Sequence, residues 1–306
     1  MFRSKTPALI EPPINGTNAR PYAPIWTRII TLVAIVSAIA GILSTLRLVS
    51  PTLLTIPYAN AVTVLLSLLP IIIWAGLSIR QERSVSQPRV ALLSIGFTAF
   101  LTTYTLVLPF IDRIFTTNQW LPLASAVDRI LGYTFTVGIT QAGVVYALVM
   151  LLAWRNHVRY RDDIIAYCIT AAVGYTTAEN LYFLSQYSSL LDAGATRFFS
   201  NLAVSVVSSL ILSYGLTQTR FDRASSVIMP FTLIISAILI GIFTPLQSGL
   251  TSASLSLEPS VPRPLLGLGL ALAIVVAGIA ITNWLLTSAE NRAREAETVA
   301  FMDEYS

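Results

Sequence analysis

The sequence has few charged residues and almost none of the side chains that bind metals or form disulfides. Only 11% of its 306 residues are charged, whereas soluble domains carry about 25%, which argues against an ordinary water-soluble enzyme. The single cysteine, Cys168, excludes a disulfide framework. Together with the single histidine, His157, it provides too few ligands for a Cys/His metal cluster. We therefore expect neither a bound metal ion nor a cofactor.

Apolar sequence is abundant instead. Hydrophobic residues make up 55% of the chain, and apolar runs of about 20 residues, each long enough to cross a bilayer core of about 30 Å, recur along it. These runs predict an all-α, multi-pass transmembrane helical bundle of about eight spanning helices. Pro70, Pro109 and Pro230 are expected to kink three of them. The predicted spans are 25–46, 58–79, 90–111, 129–154, 163–187, 198–217, 225–245 and 264–287.

The basic residues predict the orientation of these helices. They are dispersed between the apolar runs rather than clustered, so the net charge of +4 indicates membrane topology and not a nucleic-acid partner. With the amino terminus inside, most of the 19 basic residues fall on the inner side. The outer side then receives Arg47, Arg113, Arg129, Arg197 and Arg263. This bias predicts a plasma (inner) membrane protein with both termini in the cytoplasm.

Two polar tails flank the predicted membrane domain, which covers residues 25–288. Residues 1–24 contain five prolines and little apolar periodicity, and we expect a disordered cytoplasmic tail that leads into an uncleaved signal-anchor helix. Residues 289–306 are predicted to form a charged cytoplasmic tail. In the last span, Gly269, Ala273 and Ala277 are spaced for close helix packing, and Asn283 for an interhelical hydrogen bond.

Glu179 is the ionisable residue that stands out inside the predicted spans. An ionisable side chain at membrane depth is costly and by default indicates function. Glu179 lies about 16 residues beyond Asp163, which places it roughly 24 Å along the fifth helix, towards the outer half of the bilayer. A carboxyl group in such a place can deliver or accept a proton.

Polar side chains on the fourth, fifth and sixth spans are candidates to surround Glu179. On its own helix, spacings of three and four place Tyr175 and Tyr182 beside it. The sixth span carries a polar ridge at a spacing of four, and the fourth span carries hydroxyls and an amide. We therefore take Glu179 as the candidate catalytic residue. The predicted supporting residues are Asn180, Gln141, Asn201, Ser205, Tyr175 and Tyr182. The alternative is that these small polar residues only let the helices approach closely.

A motif pattern runs through the fifth and sixth spans. It begins with Asp162-Asp163, continues through small residues to Tyr175, and then reads Ala178-Glu179-Asn180-Leu181-Tyr182. The next helix starts near Arg197 and reaches Ser213-Tyr214-Gly215. Over residues 130–220 this pattern resembles the PrsW-type intramembrane proteases, distant relatives of the CAAX-prenyl protease and bacteriocin-processing superfamily. The resemblance implies a multi-pass fold that cuts membrane-anchored regulatory proteins within the bilayer.

Two motifs of that family are missing from this chain. In place of Glu-Glu-x-x-Lys the sequence reads Thr140-Gln141-Ala142-Gly143-Val144-Val145. Residues 130–154 contain no Asp, Glu, Lys, Arg or His. Ser205 stands where the family has a histidine. A pair of carboxylates that activates water is therefore absent beside Glu179.

These departures predict a catalytically impaired homologue, a pseudoprotease that binds membrane-anchored protein segments without cutting them. One alternative is an active intramembrane peptidase in which Glu179 activates water, with Gln141, Asn180, Asn201 and Ser205 as orienting groups. Another is a proton-coupled small-solute transporter with Glu179 as the protonation site. The expected partners are the lipid bilayer and a transmembrane protein substrate or client.

Overall fold

The computed structural model describes residues 23–50, 59–81, 89–116, 120–121, 124–154, 157–187, 189–222, 227–251 and 264–305. No strand occurs among these residues, and almost all of them are helical. The predicted all-α class is confirmed for this part of the chain. The predicted disordered tail, residues 1–24, falls almost wholly outside the described residues.

Long helices account for nearly all of the described chain, and each overlaps one predicted span. We number them α1 (Ala23–Val49), α2 (Ala59–Gln81), α3 (89–115), α4 (Ala126–Ala153), α5 (Arg161–Gln186), α6 (Leu191–Phe221), α7 (Ile228–Thr251) and α8 (Pro264–Tyr305). Seven of them, all except α5, are long and apolar enough to cross a membrane. The multi-pass membrane class is thus supported, whereas the predicted number of eight spans depends on α5.

The two central helices, α5 and α6, are packed on nearly all sides. Every residue of α5 from Asp163 to Ala178 is buried. In α6, 83% of the apolar 18-residue stretch is buried inside the protein. In the other apolar helices, the buried share of the corresponding stretch is between 28% and 39%. A helix that faces protein rather than lipid can carry hydroxyls, amides and charges if neighbouring helices pair with them. This position explains how α5 tolerates its many polar residues.

Two of the three prolines predicted to kink helices lie where the helices can be distorted, and the third does not. Pro70 lies inside α2, as expected. Before Pro109 the helix α3 widens into a π-helical turn, Thr103–Val107, which is one way to accommodate a lost helical hydrogen bond. The predicted kink at Pro230 is wrong, because this residue lies in the first turn of α7, where its missing N–H has no helical partner in any case. The proline inside α7 is Pro245.

Two glycines bring α3 and α5 into direct backbone contact. A Cβ atom at Gly174 would overlap the carbonyl oxygen of Gly96 and lie 3.0 Å from the Cβ of Ala99. Elsewhere on α5, the indole of Trp74 donates a 2.8 Å hydrogen bond to the hydroxyl of Thr170. Since no side chain separates the two helix backbones at Gly174, the position of α5 is fixed against α3.

The last helix presents a different face to the bundle from the one predicted. A Cβ at Gly269 would meet nothing within 4 Å, and Ala277 is exposed. The predicted packing through these residues is therefore wrong. Gly278 packs instead against Val207 of α6. The prediction for Asn283 is confirmed, since its side-chain oxygen accepts a 2.9 Å hydrogen bond from the indole of Trp26.

The start of α5 is tied to the end of α6, at what we call the Asp162 end of the bundle. Arg161 donates to both carboxylate oxygens of Asp222, at 3.0 and 2.5 Å. A carboxylate oxygen of Asp163 accepts 2.8 Å hydrogen bonds from the backbone N–H groups of Arg159 and Tyr160. These contacts satisfy donors near the helix start, and they close the antiparallel pair α5–α6 at this end.

Asp162, in the first turn of α5, precedes the predicted span and lies among other charged groups. Burial and then the neighbouring Asp163 carboxylate raise the pKa of Asp162 to about 7, and Arg28 opposes that rise. The ordinary value is 3.8, so the folded chain binds this proton more tightly than the unfolded chain does. Between those two values the fold loses stability as the pH increases.

We therefore predict that Asp162→Asn makes stability less dependent on pH. The wild type should lose on the order of 3 kcal/mol through this group between about pH 4 and pH 7. The substitution should raise the free energy of unfolding more at pH 8 than at pH 5. Tryptophan fluorescence in mixed micelles measures this free energy. Asp192→Asn, near the start of α6, is the matched control. An equal effect of Asp162→Asn at both pH values would contradict the assignment.

Candidate functional site

Glu179 lies near the end of α5 that faces the start of α6. The connection between these helices covers only residues 187–190, so the two helices form an antiparallel hairpin. In such a hairpin, residues at similar distances from the connection lie at the same height. Glu179 is seven residues before the end of α5 and Arg197 is six residues after the start of α6. The hairpin therefore places an acid and a base side by side.

Arg197 is the cation that acts electrostatically on Glu179. The two side chains are close enough to interact electrostatically, and both also act on the phenol of Tyr133 in α4. The Arg197 guanidinium lies 3.8 Å from the centre of the Phe183 ring, in a cation–π contact. In the sequence, Arg197 counts as an outer-side charge and begins the motif of the sixth span, and neither reading pairs it with Glu179. Its role becomes visible when residues are paired across the short connection between the helices.

Four of the predicted supporting residues meet in a polar seam between α4, α5 and α6. The Asn201 amide donates a 3.0 Å hydrogen bond to the side-chain oxygen of Asn180. About one turn deeper, Ser205 accepts hydrogen bonds from Gln141 at 2.5 Å and from Thr176 at 2.6 Å. The structure thus brings Gln141, Asn180, Asn201 and Ser205 together. It pairs them with each other, and Thr176 is an additional member that the predicted site did not include.

The two predicted tyrosines lie in different surroundings. Tyr175 is fully buried next to Glu179 and faces Thr140 of α4. Tyr182 points to α3, where its hydroxyl donates a 2.7 Å hydrogen bond to Asp112 and its ring meets Tyr104 edge-on. Tyr182 therefore belongs to a separate contact with α3. No spacing along the chain signals Asp112, because α3 and α5 are distant in the sequence.

Three hydrogen-bond donors around Glu179 lack a partner in the part of the chain that the structure describes. They are the hydroxyl of Tyr175, the amide nitrogen of Asn180 and the Nε of Arg197. Tyr175 and Asn180 are both fully buried. An unpaired buried donor costs roughly 1–3 kcal/mol, so native proteins rarely retain several of them in one place without a use. Together they make the surroundings of Glu179 rich in donors and suited to acceptor oxygens.

Neither His157 nor the nearest other acid on α5 lies beside Glu179. No cluster of three or more His, Cys, Asp or Glu side chains occurs among the described residues. His157 lies before α5, where its backbone carbonyl accepts a 3.3 Å hydrogen bond from Tyr167, far from Glu179 along the helix. On α5 the nearest other acid is Asp163, about 24 Å away by helical rise.

The hairpin α5–α6 thus assembles a buried polar site from residues that are spread over three helices. Among known proteins, no family model, no curated sequence and no solved structure matches this chain.

Proposed function

We propose that this chain is a multi-pass membrane protein related to the PrsW-type intramembrane proteases that binds membrane-anchored protein segments without cutting them. The observation that supports this most directly is the pairing within the polar seam. Gln141 is bonded to Ser205 and Asn201 to Asn180, so the amides that an active peptidase would use to orient water are bonded within the protein.

The unpaired donors indicate what kind of group such a site would bind. Tyr175, Asn180 and Arg197 each offer a donor atom without a partner among the described residues. A regular transmembrane helix has its carbonyl oxygens bonded internally, whereas a helix end or an unwound turn exposes them. The proposed client is therefore a membrane-anchored segment that ends or unwinds at the level of Glu179 and presents backbone carbonyls to Arg197, which is partly exposed.

The proposed topology has eight spans in the plasma (inner) membrane, with both termini in the cytoplasm. Although α5 is less apolar than its neighbours, its 26 residues extend for about 39 Å, enough to cross a bilayer core of about 30 Å. It packs on α3 and α6, which are both apolar enough to span. An even number of spans places both termini on one side, and the basic residues favour the cytoplasm.

Co-purification with site-specific cross-linking tests the proposal. A photoreactive amino acid at Phe183 should capture the same membrane-protein partner in the wild type and in Glu179→Gln, and cells with either chain should show the same membrane-protein fragments. Asp112→Asn is the control variant, because it changes the neighbouring contact with α3 and leaves Glu179 in place. It should behave as the wild type does. A fragment that appears with the wild type and disappears with Glu179→Gln would show peptidase activity and refute the proposal.

The pairing of Glu179 with Arg197 also favours a second candidate, a proton-coupled transporter. Acids at membrane depth that are paired with basic groups occur in proton relays. Reconstituted protein would then carry a small solute across liposome membranes in response to a pH gradient, and Glu179→Gln would abolish the dependence on that gradient. Transport that is unaffected by Glu179→Gln would exclude this candidate.

A further inference from the structure

A groove of about 450 Å³ lies between α2 and α3 and is separate from the surroundings of Glu179. Both helices pack on α5 more than on each other, which leaves a gap with α5 as its floor. Its walls are almost entirely apolar. They include Leu68, Ile71, Ala75, Leu92, Phe97 and Phe100.

The groove is open to the surrounding lipid. Phe97 is 62% exposed and Leu93 is 50% exposed, although both side chains line it. The lining residues of α2 extend from Leu68 to Ile79, a helical rise of about 16 Å. One leaflet of a bilayer core is about 15 Å thick. The groove therefore has the length of a single leaflet.

One end of the groove carries a buried positive charge. Arg28, in the second turn of α1, lines the groove and is only 4% exposed. Ser78, in the last turn of α2, also lines it, and its hydroxyl is buried without a hydrogen-bond partner among the described residues. Both residues lie at the Asp162 end of the bundle, and Asp162 acts electrostatically on Arg28. At this end the predicted topology places the cytoplasmic headgroups.

The size of the groove determines what can occupy it. A helix about 10 Å in diameter that rises 1.5 Å per residue fills roughly 120 Å³ per residue, so the groove would hold only about one helical turn. A flexible hydrocarbon chain fills the same space over the length of one leaflet. The arginine at the mouth and the hydroxyl of Ser78 fit a phosphate, since guanidinium groups bind phosphate oxygens in bidentate pairs.

We propose that this groove binds one acyl chain of an anionic phospholipid, with the phosphate at Arg28 and Ser78. Anionic lipids of the cytoplasmic leaflet are attracted by basic residues at this level. Arg28 interacts with Asp162 at the edge of the groove, which positions the guanidinium before the lipid arrives. The site does not depend on client binding at Glu179, and either proposal can fail without the other.

Native mass spectrometry of the full chain, released from detergent micelles, tests the proposal. Phosphatidylglycerol and phosphatidylcholine with identical acyl chains are the probes. The wild type should retain phosphatidylglycerol in preference to phosphatidylcholine. Arg28→Gln should weaken phosphatidylglycerol binding by about tenfold, the loss expected for one charged hydrogen bond, and Arg28→Lys should restore part of it.

A second variant tests the groove without touching the charge. Ala75→Phe places a ring in the groove and should lower the retention of both lipids by about tenfold. Ile72→Phe, on an exposed face of α2 that does not line the groove, should bind as the wild type does. Equal retention of the two lipids by the wild type, or wild-type binding by Ala75→Phe, would overturn the proposal. Tryptophan fluorescence of each variant shows whether it is folded.

Discussion

Arg197→Met should lower the free energy of unfolding by roughly 1–3 kcal/mol, because it removes the cation–π contact with Phe183 and the favourable electrostatic interaction with Glu179. The substitution leaves Glu179 without its basic neighbour and removes the guanidinium that lies over Phe183. The chain provides its own probe for this experiment. Cys168 is the only cysteine and is fully buried in α5, so the rate at which a thiol reagent labels it reports the opening of the central helix.

The double variant Arg197→Met/Glu179→Gln separates the electrostatic interaction between the two residues from simple loss of packing. If the two side chains act as a pair, removal of both should cost clearly less than the sum of the single losses. Arg197→Lys keeps the charge but not the planar guanidinium group. Its free energy of unfolding should therefore lie between those of the wild type and Arg197→Met. Additive losses in the double variant would show that Glu179 and Arg197 do not interact energetically.

Gly174→Val is expected to prevent α5 from packing against α3. Even alanine at this position would place its Cβ against the carbonyl oxygen of Gly96, and backbone atoms cannot move aside as the end of a flexible side chain can. Overpacking of this kind costs about 1–3 kcal/mol for small additions and more where backbone is displaced. We expect Gly174→Ala to lower the unfolding midpoint and Gly174→Val to abolish the folded protein.

Gly143→Ala in α4 is the matched control for these glycine variants. A Cβ at Gly143 would meet nothing within 4 Å, so the higher helix propensity of alanine should stabilise the chain by up to about 1 kcal/mol. Labelling of Cys168 and size-exclusion chromatography in detergent report the outcome. Wild-type stability of Gly174→Val would show that α3 and α5 are not in contact at this point.

The helices could be predicted from the sequence because an apolar run of membrane length rarely forms anything but a helix. Each predicted span overlaps an observed helix, and the largest errors concern helix ends and internal proline positions. It was harder to predict which face of each helix packs against the bundle. Lipid is as apolar as a protein core, so an apolar or small residue such as Gly269 carries no signal of which way it points. Polar residues did carry that signal, as the buried Ser205 and the bonded Asn201 illustrate.

The candidate site was only partly predictable for a similar reason. Spacing along one helix places Tyr175 near Glu179, and it also placed Tyr182 there, although Tyr182 bonds to Asp112 on α3. Contacts between helices depend on their relative rotation and height, which a single sequence does not encode in any local pattern. Arg197 illustrates the limit, because its partner is 18 positions earlier in the chain and is found only by folding the hairpin.

The length of the last helix has a mechanical consequence. α8 continues for 42 residues from Pro264 to Tyr305, about 63 Å, which is about twice the thickness of a bilayer core. A helix of this length that crosses such a core would continue for roughly 30 Å beyond it. A tilt of about 10° at its anchored half would sweep the free tip by on the order of 5 Å.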